Sequence, residues 1–389
     1  MKHLYPFLAF LIFCQIINGQ TLNDLSFGTN DTFEIMTWNL ETFPKNNQQT
    51  VDYVSQIIDA LDVDMVVIQE ITDIPAFNQL TNSLSNYNGY IESTYYDGLA
   101  ILYKPSVVEI NAIYRIYDTS QYWNTFPRAP MVIDITYNNQ HVYIINNHLK
   151  CCGDGVLVLN NSSDEEYRRY EAINLLKSYI DTNLQNENVI VLGDMNDELT
   201  DSPSNNVFQN ILDDSADYLF TDYDIASGNS TDWSYPSWPS HLDHILITNE
   251  LFDEFALPSA NIQTIKVDDY LSGGFTEYDT NVSDHRPVAL KLTIDSNLGT
   301  EDLSFNKTTS LTNYPNPFRY ETTFSFSLSN RNYKLEVVNI LGQTVFLKNL
   351  DQGQSSFKWH PKGISQGIYF ARLSQGNQVI ATRKLVLSH

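Results

Sequence analysis

Eight short apolar runs alternate with polar stretches through the first three quarters of the chain, at 33–38, 65–69, 99–103, 131–135, 142–146, 189–192, 245–247 and 288–294. Their length and their content of β-branched residues mark them as strands. Several are apolar on both faces, as expected of strands covered on both sides. Residues 51–61 and 167–180 instead repeat apolar positions at helical spacing, the second run preceded by a capping-box pattern of Ser163 and Glu166. Elements in this order predict an α/β fold, a two-sheet sandwich flanked by helices. The long segments 114–130 and 212–240 are then loops that crowd one rim of it.

Past a polar, turn-like stretch at 295–307 the pattern changes. Short alternating runs at 322–328, 333–339, 343–347, 355–359, 367–373 and 378–387 predict a small C-terminal β-sandwich. At 389 residues the chain has room for two or three domains. At the start, Lys2 and His3 precede an apolar stretch at 4–17 and then Asn18-Gly19-Gln20, the pattern of a cleaved secretory signal. The apolar stretch is too short to cross a bilayer comfortably, and no small residue precedes Cys14 as a lipidated cysteine requires. The expected division is a signal peptide at 1–20, a main domain at 21–298, a linker at 299–310 and a β-sandwich at 311–389.

Charge sharpens this division. Residues 304–389 hold 10 basic and 3 acidic side chains, leaving 12 and 44 of the totals of 22 and 47 for residues 1–303. The formal charge of −25 is therefore near −32 before the boundary and near +7 after it. So acidic a main domain repels polyanions out to a screening length of about 10 Å at 0.1 M salt. That weighs against a tight DNA binder and calls for divalent cations at any face that meets a polyanion. A fast hydrolase with weak product affinity is still allowed. Once Cys14 leaves with the signal, Cys151 and Cys152 remain. Adjacent cysteines pair within a chain only as a strained vicinal disulfide, expected here to stiffen the loop after His148. Two thiols, or a bridge between chains, are equally open readings.

Six polar motifs sit at the ends of the apolar runs: Trp38-Asn39, Gln69-Glu70, Asn147-His148-Leu149, Gly193-Asp194-Met195-Asn196-Asp197, Leu242-Asp243-His244 and Ser283-Asp284-His285-Arg286-Pro287. Each lies where a buried strand reaches a sheet edge and offers a carboxylate, amide or imidazole to one shared cleft. Glu70, Asp194, Asp284, Asn39 and Asn196 are oxygen donors suited to a hard cation, Mg²⁺ or Mn²⁺, with Ca²⁺ a third candidate. His285 is a candidate base whose tautomer Asp243 would fix. Any one of these residues is as readily a solvated strand end or a surface pair. Together they match metal-assisted phosphoester cleavage, which needs neutralised phosphoryl oxygens, an activated water and a stabilised leaving oxygen.

In this order the motifs resemble those of the endonuclease/exonuclease/phosphatase superfamily, which includes deoxyribonuclease I, abasic-site endonucleases, neutral sphingomyelinases and inositol polyphosphate 5-phosphatases. The resemblance spans roughly the first 300 residues and implies a metal site of Glu70, Asn39 and Asp284. It implies that Asp194 and Asn196 orient the attacking water and the phosphate, and that Asp243 buttresses the essential His285. His148 resembles a second histidine of the deoxyribonuclease-like branch, and Asp97 lies where that branch has the acid pairing with it. Arg128, in Phe126-Pro127-Arg128-Ala129-Pro130, resembles a phosphate-contacting arginine, with Asn147 as a further substrate contact and a loop salt bridge as the plainer reading of Arg128. The aromatics Tyr114, Tyr117, Tyr122, Trp123 and Phe126 suit either stacking on a substrate or packing of their loop. Lys150, Arg168 and Arg169 suggest a basic rim for DNA, opposed by Asp164, Glu165 and Glu166.

The tail carries its own resemblance. Tyr314-Pro315-Asn316-Pro317-Phe318, Asn339-Ile340-Leu341-Gly342-Gln343, Gly367-Ile368-Tyr369-Phe370 and Lys384-Leu385-Val386 look like a type A sorting domain of the type IX secretion system. This implies outer-membrane secretion and sorting machinery as a partner, and a secreted or cell-surface destination. A carbohydrate- or protein-binding sandwich is the rival reading. The expected function is a secreted divalent-metal-dependent phosphodiesterase acting on nucleic acid, with no stable protein partner. The alternatives are a sphingomyelinase-like or phosphomonoester-cleaving hydrolase, and a metal-binding surface protein without catalysis.

Overall fold

The computed structural model describes residues 20–93, 98–294, 311–316, 318–326, 333–339, 343–350, 354–375 and 378–387. The expected signal peptide (but for Gln20), the linker at 299–310 and Asp97 lie outside the described residues. The chain divides into two compact units, 1–296 and 297–389.

The described residues of the first unit contain twelve strands: β1 (Phe33–Phe43), β2 (Met65–Ile71), β3 (Asn88–Ile91), β4 (Gly98–Tyr103), β5 (Glu109–Arg115), β6 (Met131–Tyr137), β7 (Gln140–His148), β8 (Asn188–Asp194), β9 (Tyr218–Phe220), β10 (Asp243–Thr248), β11 (Asn261–Thr264) and β12 (Val288–Leu292). They form two six-stranded sheets, ordered β11-β12-β1-β2-β4-β3 and β5-β6-β7-β8-β10-β9. At the centre of each sheet one parallel pair, β1–β2 or β7–β8, is flanked by antiparallel neighbours. That arrangement places the site. The C-terminal ends of the parallel strands and the N-terminal ends of their antiparallel partners β10 and β12 reach the same edge, so Asp194 stands opposite both Asp243 and His148 in register.

Alternation along the strands then decides which side chains meet. Phe33, Ile35, Met65, Val67, Ile144, Ile190, Leu192, Ile245 and Ile247 fill the layer between the sheets. At about 1.5–3 kcal/mol for each fully buried side chain of this size, this layer is a large part of the unit's stability. Continuing the same face by twos leads to Asn39, Gln69, Asn146, His148, Asp194 and Asp243. The layer thus turns from apolar to polar toward one edge. The opposite strand faces are covered by helices α1 (Asn47–Leu61) and α2 (Ile74–Ser83) on the first sheet and α3 (Glu165–Asn183) on the second.

The strands missing from the sequence pattern are β3, β5, β9 and β11, which occupy or adjoin sheet edges and carry too few buried positions to alternate. Helix α3 starts earlier than its apolar spacing predicts. Its cap is Asp164, whose carboxylate accepts from Tyr167 N at 2.7 Å, and not the Ser163–Glu166 box. Glu166 is buried beside Arg169 and accepts from Gly155 N at 2.7 Å, so it has left the helix terminus for a tertiary contact.

In the second unit β13 (Leu311–Tyr314), β14 (Thr322–Phe326) and β17 (Ser356–Trp359) form one antiparallel sheet. The other contains β15 (Tyr333–Asn339), β16 (Thr344–Leu350), β18 (Gly367–Gln375) and β19 (Gln378–Leu387). Phe324, Leu335, Val337, Trp359, Leu373 and Leu385 make its core.

Away from the polar edge, Glu34 and Asp64 are buried side by side, with Oε2 of Glu34 unpartnered. Burial foremost, with the Glu34 carboxylate adding to it, pushes Asp64 up to about 7 against the opposing pull of the Glu34 backbone N–H and then of Lys104. A carboxyl raised in the fold stabilises it below the ordinary carboxylate range, and that contribution is lost as pH rises through about 7. Asp64→Asn should therefore flatten the fall in thermal midpoint between pH 5 and pH 8, measured by calorimetry at both pH values.

Candidate active site

The polar edge opens into a cleft of about 520 Å³ whose walls include Glu41, Glu70, His148, Asp194, Asn196, Tyr235, Asp284 and His285. Six of these eight were expected from strand ends, and the last of them, His285, closes the row from the segment leading into β12. Its ring is fixed from three sides. Nδ1 lies 2.8 Å from Asp243 Oδ2, so Asp243 on the second sheet holds a histidine carried by the first. The His285 carbonyl accepts from Trp38 Nε1 at 3.1 Å and Tyr278 Oη at 2.6 Å. Its backbone N–H donates to Ser283 Oγ, which in turn donates to the Asn39 carbonyl. Arg286 anchors the next residue through a bidentate pair with Asp268 at 2.8 and 2.6 Å.

Nε2 of His285 faces the cleft, 3.9 Å from both Asp194 Oδ2 and Asp284 Oδ1. Burial works to discharge the ring, but Asp243, Asp194 and Asp284 outweigh it and hold His285 at about 10. Asp194 moves the other way: burial raises it to about 7, and the His285 charge and the Asn39 amide limit the rise. His148 is driven well below its ordinary value by burial, then by Arg128 and His285. It is therefore neutral, with Nε2 3.5 Å from Asp194 Oδ2 and 3.7 Å from Glu70 Oε1. Its Nδ1 has no hydrogen-bond partner among the described residues.

Asn39 links the two sheets. Its amide nitrogen donates to Glu70 Oε1 at 3.1 Å and Asp194 Oδ2 at 2.9 Å, while its oxygen accepts from Glu41 N at 2.9 Å. Asn39 is therefore placed with its amide nitrogen spacing two carboxylates and its oxygen turned to the Glu41 backbone. Glu41, Thr42, Glu70 and Asn196 all adopt left-handed backbone angles, φ +41°, +53°, +63° and +55°. Such angles are costly outside glycine and gather where a chain must aim side chains. Gly193, at φ +146°, has no alternative residue: a Cβ there would stand 1.9 Å from the Asn147 carbonyl oxygen.

Two expected residues lie elsewhere. Asn147 has the opposite strand parity from His148, donates to the Ile145 carbonyl at 3.0 Å and does not line the cleft. Arg128 lines an adjoining hollow of about 280 Å³ with Trp123, Phe126 and Arg115, close enough for its charge to act on His148. In the aromatic loop, Phe126 is buried and stacks on Tyr117 at 5.3 Å, whereas Trp123 is 61% exposed.

Glu41 was missed, although its place two residues beyond Asn39 was a usable signal. It accepts from Asp284 N at 2.9 Å and pairs with Lys45. Tyr235 packs against the His285 ring, centroids 4.8 Å apart. Arg169 does not belong to a basic rim. It is buried and donates to Asp197 Oδ2 at 2.7 Å, Lys150 O at 2.7 Å and Cys152 O at 2.6 Å. This ties the loop after His148 to the loop after Asp194.

The acids fit a hard divalent cation. Asp284 Oδ1 is buried without a hydrogen-bond partner among the described residues, and both Asp284 and Asp194 are raised, first by burial, toward accepting a proton in place of a cation. Glu70 and Asp284 are the residues that would hold it, with Asp194 beside them. A second grouping, Asp222, His241 and His244, brings three ligating atoms within 4.8 Å of one another but is already filled by protons. His241 Nδ1 accepts from Ser234 N, so its proton is on Nε2, 3.0 Å from Asp222 Oδ2. Both nitrogens of His244 face acceptors, Asp222 Oδ2 at 2.6 Å and the Asp197 carbonyl at 2.9 Å, making it an imidazolium. Its parity on β10 points it away from the cleft, toward the rings of Phe208 and Phe220.

Two stacked mixed sheets, helices on both outer faces and an acid–histidine cleft at one edge define a deoxyribonuclease I-like phosphoester hydrolase. The chain belongs to the Endonuclease/Exonuclease/phosphatase family, whose model matches residues 36–285, and residues 312–388 match a Secretion system C-terminal sorting domain. No curated protein sequence matches it. Among solved structures it is similar to D. rerio TDP2 complexed with a single-strand DNA product, with 14% identity, 68% of this chain and 99% of that one covered, and a TM-score of 0.51. A D. rerio TDP2 humanized by 14 mutations gives 15%, 67%, 99% and 0.50. The catalytic domain of human Nocturnin with bound sulfate gives 14%, 68%, 95% and 0.48.

Two outcomes follow from this geometry. The His285 ring should titrate near pH 10 in the cation-free protein by NMR, and Asp243→Asn should bring that midpoint down by more than one unit. Arg169→Leu strands the buried Asp197 and Glu166 carboxylates and should cost about 3–5 kcal/mol in denaturant unfolding.

Proposed function

We propose that this chain is a secreted, divalent-metal-dependent phosphodiesterase whose substrate is nucleic acid. The observation that carries the proposal is the cross-sheet convergence of Glu70, Asp194, Asp284, His148 and the Asp243-held His285 on one cleft. Bound at Glu70 and Asp284, Mg²⁺ or Mn²⁺ supplies the positive charge that phosphoryl oxygens need. His285, charged and aimed into the cleft, donates from Nε2 to the phosphoryl group, and Asp243 keeps the ring oriented. Asp194, poised near neutrality and fixed by Asn39 and Asn196 N, orients the water and takes its proton. Neutral His148 donates or accepts without adding charge, and Arg128 contacts phosphate from the adjoining hollow. The DNA product in the D. rerio TDP2 complex supports nucleic acid as the substrate class. The sorting domain supports a secreted or cell-surface location reached through the secretion machinery, after removal of the signal at 1–20.

A second reading has its own observation. Beside the Arg169-paired Glu166 and Asp197, the outer wall of the cleft adds Glu198 and Asp201, and burial raises Asp201 to about 6. A wall this acidic favours a compact phosphoester, a sphingomyelin headgroup or a phosphomonoester, over a long polyanion.

Supercoiled plasmid, sphingomyelin and a phosphomonoester, each offered to the full chain with Mg²⁺ or Mn²⁺, separate the two. Plasmid nicking that stops with chelator and falls by about 10²–10⁴ in His285→Ala is the expected result. Release from either other substrate alone moves the function to that substrate. Nicking retained in His285→Ala would refute the assignment of that residue.

A further inference from the structure

The loop after His148 carries two cysteines that the proposed reaction does not use. Cys151 and Cys152 both line the cleft, and their sulfurs lie 2.8 Å apart as free thiols. Cys152 donates its S–H to the Cys151 sulfur, which Lys150 Nζ also approaches at 3.7 Å. Cys151, whose sulfur faces an ammonium and a thiol proton, is therefore placed as the attacking sulfur of the two. The hydrogen bond to Cys151, and burial after it, raise the Cys152 thiol. Left-handed angles at Cys152 (φ +71°) and Gly153 (φ +120°) already turn the backbone sharply here. The loop is not free to move alone, because Arg169 grips the Lys150 and Cys152 carbonyls and the Asp197 carboxylate with one guanidinium.

We propose that Cys151 and Cys152 are a reversible thiol–disulfide site that reacts with low-molecular-weight disulfides and reports its state to the cleft through Arg169. The proposal rests on the reading of that cleft as catalytic. The Cys151 thiolate attacks one sulfur of the small disulfide, forming a mixed disulfide and releasing the first thiol. Cys152 loses its proton and attacks the Cys151 sulfur, closing an eight-membered ring and releasing the second thiol. Two protein thiols are oxidised, one small disulfide is reduced to two thiols, and the protons leave with them. Neighbouring α-carbons stand only about 3.8 Å apart, short of the usual span of a disulfide, so the ring is strained and easily reopened. Ring closure turns the Cys151–Cys152 peptide and resets the backbone angles at Cys152, which draws the Cys152 carbonyl, in the next peptide, away from Arg169. Arg169 then shifts on Asp197, the residue after Asn196, and oxidised protein turns over more slowly.

The test uses the full chain in buffers running from reduced to oxidised glutathione, quenched by alkylation. Trypsin releases residues 151–168 as one peptide, whose mass counts the two thiols separately from Cys14. The proposal expects two alkylated cysteines under reduction and a peptide lighter by two hydrogens, without alkylation, under oxidation. Turnover of a chromogenic phosphodiester should fall severalfold in step and return with reductant, while the double variant Cys151→Ser/Cys152→Ser is indifferent to the buffer. Two alkylatable thiols throughout, a glutathione adduct that never closes, or a closed ring with unchanged turnover would each overturn it. Should neither form turn over any phosphoester, the catalytic reading fails separately, and amide exchange at 194–198 decides the coupling: a change on ring closure supports it and no change ends it.

Discussion

The hydrogen bond between Asp243 and His285 joins the two sheets at the point where chemistry is expected, and the rest of the cleft is arranged around it. It is 2.8 Å long and buried, with the acid on one sheet and the imidazole on the segment entering the other. Asn39 to Asp194 and Gln69 to Asn146 cross the same gap at 2.9 Å each. A polar seam of this kind is costly to bury unless every partner is met. Here it is backed by an apolar layer running away from the edge and by helices on both outer faces. Loss of one partner leaves a charge stranded between sheets, so seam and sandwich depend on each other.

The seam also sorts its groups by charge. Three carboxylates outweigh burial at His285, which keeps its proton; at His148 burial, then Arg128 and His285, take the proton away. Two histidines within one cleft are thereby given different work without any difference in residue type. The acids are held in excess, and the left-handed turns at Glu41, Glu70 and Asn196 aim them inward. Such an excess is what a hard cation requires, and it accords with the family's general use of divalent metals. Behind the cleft, His244 and Arg169 supply fixed positive charge that balances Asp222, Asp197 and Glu166.

Much of this was legible in the sequence because the governing pattern has a period of two. Apolar runs end in polar residues of the same parity at Asn39, His148, Asp194 and Asp243, while Glu70 and His285 could be assigned to the same edge only from their place at the end of β2 and ahead of β12. What escaped depended on contacts distant in sequence. Arg169 looks like surface charge on a helix, and only the docking of α3 over β8 buries it. Asn147 is adjacent to His148 yet faces the opposite way, a distinction that strand parity would have supplied. The edge strands β5 and β11 are too exposed to show alternation, and the α3 cap was misplaced because Glu166 is used by Gly155 and Arg169. The bond from Glu41 N to the Asn39 oxygen is likewise announced by no residue pattern.

The central claim is that a cross-sheet acid orients a charged histidine for phosphodiester cleavage. The most direct measurement is steady-state hydrolysis of bis(4-nitrophenyl) phosphate with saturating Mn²⁺ by the natural chain and Asp243→Asn, with Mn²⁺ affinity measured calorimetrically on both. The account predicts kcat lower by about 10²–10⁴ in the variant, with Mn²⁺ affinity within a few fold, since Asp243 lies under the histidine and not among the cation's ligands. Equal kcat in the two proteins would contradict it.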